Sequence, residues 1–88
     1  MTMASPITPE AALGWLRSLS VDIRAAAILD AAGSVLAGDT AIAAAKPGRG
    51  VIVAQSDRYV VVLTHGRKAL AGLLRADAEA ALAALERP

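Results

Sequence analysis

The run Arg24-Ala-Ala-Ala-Ile-Leu-Asp-Ala-Ala-Gly-Ser-Val-Leu-Ala-Gly-Asp39 decides the fold of this 88-residue chain. A short apolar run ends in Asp30-Ala31-Ala32-Gly33, and a second follows from Ser34 to Ala37. Gly33 supplies the positive φ that a tight turn needs, and the Asp30 carboxylate can bond the turn backbone. The stretch therefore reads as a β-hairpin. A helix over 24–32 is the competing reading, because alanine favours helix. The turn chemistry, and the β-branched or leucine residues on either side, favour the hairpin.

Downstream, Val51 to Gln55 and Tyr59 to Thr64 form a second hairpin across the polar connection Ser56-Asp57-Arg58. Val60-Val61-Val62-Leu63 is apolar at every position, as a central strand is when both its faces are buried. Helices are therefore expected on both sides of the sheet. Between the hairpins, Asp39 is a candidate N-cap for a short helix through about Lys46, stopped by Pro47 and Gly48. Its face is alanine apart from Ile42.

The flanks read as helices. Thr8 caps, Pro9 suits the first helical position and Glu10 complements the positive helix end. Ala12, Trp15, Leu16 and Leu19 then recur at helical spacing, with Leu13 beside them, and the helix fades at Ser20. Arg67 to about Glu86 is the longest helical stretch, with Leu70, Leu73, Leu74, Ala78, Ala81, Leu82 and Leu85 on its apolar stripe. Residues 1–7 read as a flexible terminus and 8–88 as one domain. The fold class is α/β (α+β): an antiparallel four- or five-stranded sheet flanked by helices, in the order α-β-β-α-β-β-α.

Composition narrows the function. Apolar residues make up 56% of the chain, yet a quarter of all residues are alanine, and Phe is absent. Alanine buries little area at about 25 cal/mol per Å². A small domain with so light a core gains from burying further apolar surface by self-association. The net charge of +1 gives no electrostatic reason to expect nucleic acid or an anionic membrane. The absence of cysteine removes disulfides, thiolate metal sites and thiol nucleophiles. No basic start followed by an apolar core marks the N-terminus, and no uncharged apolar run reaches about 18 residues, so a cytoplasmic location is expected.

Candidate chemical residues have plainer roles. His65, the single histidine, lacks a nucleophile and orienting carboxylate at recognisable spacing, and reads as a structural residue at a strand end. Lys46-Pro47-Gly48-Arg49-Gly50 has a phosphate-loop look but lacks its order and follows a helix rather than leading into one. Arg49, Arg58, Arg67 and Lys68 read as a basic end of the sheet, suited at most to an acidic protein surface or a small anion. Asp30 and Asp39 have turn and cap duties. No catalytic, metal or cofactor constellation emerges, so an enzyme is not expected.

The opening hairpin 24–39, with Tyr59-Val-Val-Val-Leu-Thr-His-Gly66 and the following Leu70, Leu73, Leu74 and Arg75, resembles the Roadblock/dynein light chain domain family over about residues 9–86. The chain looks like a shortened bacterial member, with four strands where that family usually has five. The resemblance implies a profilin-like sheet with the first and last strands central. It also implies dimerisation through the middle helix and its neighbouring strand. On this sequence that surface is Thr40, Ala41, Ile42, Ala44 and Ala45, with Val51 and Val53. By the same resemblance, the expected partners are a second copy of the chain and a small Ras-like GTPase or related signalling protein. A small-molecule-sensing domain of related topology is the alternative; it needs a pocket of about 300 Å³ or more between sheet and helix.

Overall fold

The computed structural model describes residues 7–19, 22–67 and 70–87. Most of the expected flexible terminus, the end of the first helix at Ser20, and Lys68 of the basic group lie outside them. The elements are α1 (Pro9–Leu19), β1 (Ile23–Asp30), β2 (Val35–Gly38), a 3-10 turn (Thr40–Ile42), β3 (Val51–Gln55), β4 (Tyr59–His65) and α2 (Ala71–Leu85).

Local chemistry sets the elements. The Thr8 hydroxyl accepts the Ala11 N–H at 3.1 Å and caps α1. In the first hairpin, Asp30 Oδ1 accepts from Ala32 N–H at 3.0 Å and Ser34 N–H at 2.9 Å, while Gly33 takes φ +93°. The turn thus holds 23–30 in a strand despite its alanines. A bulge then shifts the β1–β2 register: Ile28 faces Ala37 while Leu29 faces Val35.

All pairings are antiparallel and the strand order is β2-β1-β4-β3. The central pair β1–β4 runs from Ile23↔His65 to Asp30↔Tyr59. Alternation sorts the side chains. Ala26, Ile28, Ile52, Ala54, Val61 and Leu63 point to one face, where both helices lie. Against them pack Ala12, Leu13 and Leu16 of α1 and Leu74, Ala78, Ala81, Leu82 and Leu85 of α2. Ala12, Ala26 and Ala78 are fully buried, so small side chains bring the helices close onto the strands.

Three expectations need correction. Among the described residues helices do not cover both sides of the sheet; α1 and α2 share one face, and the other is met by the segment after β2. Trp15 and Leu19 do not join the buried stripe of α1 and are 41% and 43% exposed. The buried arc of α1 centres on Ala12, Leu13 and Leu16, leaving Trp15 and Leu19 on the flank. The last helix begins at Ala71, not Arg67, and Leu70 and Leu73 are 67% and 61% exposed. The inward arc of α2 starts at Leu74.

The far end of α2 is latched to the β3–β4 turn. Glu86 Oε2 accepts from Ser56 Oγ at 2.6 Å and from Arg58 N–H at 3.1 Å, while Arg58 Nε lies 3.6 Å from Glu86 Oε1. The Arg58 side chain is 73% exposed, so the ion pair adds little beside the two hydrogen bonds. Glu86→Ala is expected to lower unfolding stability by about 1–2 kcal/mol in urea titration, and Arg58→Ala by less than about 0.5.

Candidate interaction face

The second face of the sheet carries Ala27, Leu29 and Val62, all buried, and half-buried Val35, Val51, Val53 and Val60. No helix lies over it among the described residues. Its cover is the chain leaving β2. Gly38 turns at φ +96°, and Asp39 N–H reaches back to the Ala26 carbonyl at 2.9 Å. Asp39 Oδ1 then accepts the Ala41 N–H at 2.9 Å, starting the turn Thr40–Ile42. This directs Ile42, Ala43 and Ala45 onto the sheet.

The helix expected over 39–46 is therefore a single turn. Its cap forms, but helix nucleation costs more than a few alanines return. Pro47 also disfavours helical backbone at Lys46. The short turn covers less than a helix would, and it leaves the valines of β3 half-buried.

Four of the expected interface residues, Ile42, Ala45, Val51 and Val53, meet in this one cluster. Thr40, Ala41 and Ala44 are exposed on the outside of the cover. Sequence reasoning missed Val35, Ala43 and Val60. Strand parity with Val62 was the signal for Val60, since residues two apart share a face. β3 is also an edge strand. Its first residue exchanges bonds with Gly48 at 3.1 and 3.3 Å, and the Arg75 guanidinium reaches the Val53 carbonyl at 3.5 Å.

The remaining candidates fall elsewhere. His65 Nδ1 lies 2.9 Å from the Gly66 carbonyl oxygen at the end of β4. Asp30 and Asp39 are engaged in the turn and cap already described. Residues 46–50 lead into β3, where the Gly50 carbonyl accepts the His65 N–H at 2.9 Å. Arg58 is at the opposite end of the sheet from Arg49 and Arg67, so the expected basic end does not include it. No group of three or more His, Asp or Glu side chains is placed to hold a metal among the described residues. No helix among them is long and apolar enough to cross a membrane.

Gly38 is the hinge that puts the cover in place. A Cβ there would strike the Ala26 carbonyl in a conformation L-residues avoid, whereas one at Gly33, φ +93°, would meet open space. Gly38→Ala is expected to cost about 2–4 kcal/mol, against about 1–2 for Gly33→Ala, by chemical denaturation. In comparisons with known proteins, no family model, curated protein or solved structure matches this chain.

Proposed function

We propose that this chain is a non-catalytic interaction module that homodimerises through the open sheet face. In the manner of the Roadblock domains its sequence resembles, it would scaffold or regulate a small GTPase or a related signalling partner. One observation carries the self-association. The central strands are apolar on both faces, and the cover over the second face leaves Val51 and Val53 half-buried on the edge strand β3 and Val60 half-buried on the neighbouring β4. A second copy docked there would complete their burial. A stable interface needs about 800 Å² from each partner. The outer surface of the 39–46 segment, with exposed Thr40, Ala41 and Ala44, extends the valine patch, and its small side chains allow close approach.

The alternative of a small-molecule sensor is less well supported. Leu16, Ile28, Val61 and Leu63 fill the interior between sheet and helices, and a space of the size such a ligand needs, about 450 Å³, lies instead in an open groove between β3, the end of β4 and the start of α2.

Size-exclusion chromatography with light scattering at about 100 µM is the test, a concentration that populates dimers of micromolar affinity. The wild-type chain is expected at twice its 8.9 kDa mass, and Val53→Lys at 8.9 kDa with its circular dichroism unchanged. A wild-type chain that stays monomeric throughout would overturn the reading.

A further inference from the structure

The second feature of interest is a groove of about 450 Å³ beside β3, where the loop before it, the end of β4 and the start of α2 meet. Arg49 and Arg75 line it with His65, and no carboxylate does. Its apolar wall comes from Pro47, Val51, Ile52 and Ala71.

The charge around it is one-sided. Ile23 pairs with His65, and Gly66 N–H bonds the Asp22 carbonyl at 3.0 Å, so Arg24 and Arg67 stand at this same end of the sheet. Asp22 is the acidic residue at this end, and its carboxylate lies against Gly66 beside Arg24, outside the groove lining. Arg58, by contrast, is held by Glu86 at the opposite end. Arg49 makes no ion pair among the described residues, and Arg75 reaches no closer than 3.5 Å to a backbone carbonyl. Arg49 and Arg75 thus place two guanidinium groups in a groove whose lining holds no carboxylate.

We infer that this groove docks an acidic segment of a partner protein. Two guanidinium groups across a partly apolar trough suit glutamate side chains, whose carboxylates pair with arginine and whose stems lie on the apolar wall. A nucleic acid strand binds along a longer basic track with successive stacking aromatics, and the groove lining offers the single imidazole of His65. The inference extends the interaction-module reading without resting on the homodimer, because the groove lies within one chain.

The test is fluorescence anisotropy with a labelled peptide of alternating Glu and Leu, its Lys-for-Glu counterpart, and inorganic phosphate as competitor. The wild-type protein is expected to bind the Glu peptide and not the Lys peptide. Affinity is expected to fall at least about tenfold between low and high salt. Arg49→Glu with Arg75→Glu is expected to reverse the preference, while Arg49→Lys with Arg75→Lys retains it. Both arginines are exposed, and single Arg49→Glu serves if the double variant is misfolded by circular dichroism. Val53→Lys is expected to bind the Glu peptide as the wild type does, which separates this inference from the dimer. Equal binding by the charge-reversed protein, or no binding of the Glu peptide at about 1 mM, a weak affinity for any specific contact, would refute it. So would phosphate saturating the groove without displacing the peptide.

Discussion

The architecture depends on one constraint: β1 and β4 are apolar on both faces, and the helices among the described residues cover one. Ala26 and Ile28 point toward the helices while Ala27 and Leu29 point away, and Val61 and Leu63 are divided from Val62 in the same manner. Each of these residues is nearly or fully buried. Burying the first set takes α1 and α2. The second set falls to the short run after β2, which supplies Ile42 and the single methyl groups of alanines where a helix would supply a full apolar stripe.

Everything around that run serves to hold it on the sheet. Gly38 gives the backbone the reversal, the Asp39 N–H ties it to β1, and the Asp39 carboxylate caps its single turn. The result is a layer that shields Val62 to 2% exposure yet leaves the β3 valines half-open. A light core follows from the same composition. Alanine brings helix and sheet together but removes little area from water. The open face therefore keeps Val51, Val53 and Val60 only half-buried.

Both hairpins were legible in the sequence because their turns are chemical: Asp30 with Gly33 in one, the polar Ser56-Asp57-Arg58 connection in the other. The α1 cap at Thr8 was legible for the same reason. What was not legible depends on tertiary geometry. Periodicity placed Trp15, Leu19, Leu70 and Leu73 inward, but the depth of each helix against the sheet decides which arc is buried. The Asp39 cap and the Pro47-Gly48 stop bounded a helix over 39–46, whereas a sheet face offers an irregular chain the same contacts without the cost of nucleation. The interface residues were half legible. Ile42, Ala45, Val51 and Val53 converge, Val60 follows from its parity with Val62, and Val35 enters through a bulged pairing that only the register reveals. Arg58 was misplaced among the basic residues because a hairpin turn lies at the other end of the sheet from its strand starts.

The open face and the basic groove meet at β3, where Val51 belongs to both, so the surface proposed for a like copy adjoins the one proposed for an unlike partner. The exposed Trp15, Leu19, Leu70 and Leu73 lie on the helical layer, the opposite side of the sheet from the valines. That separation makes the central claim directly measurable by isotope-filtered NMR on a mixture of labelled and unlabelled chains. The account predicts contacts between copies at the methyl groups of Ile42, Val51, Val53 and Val60. Contacts between copies confined to Trp15, Leu19 and Leu73, or none at millimolar concentration, would contradict it.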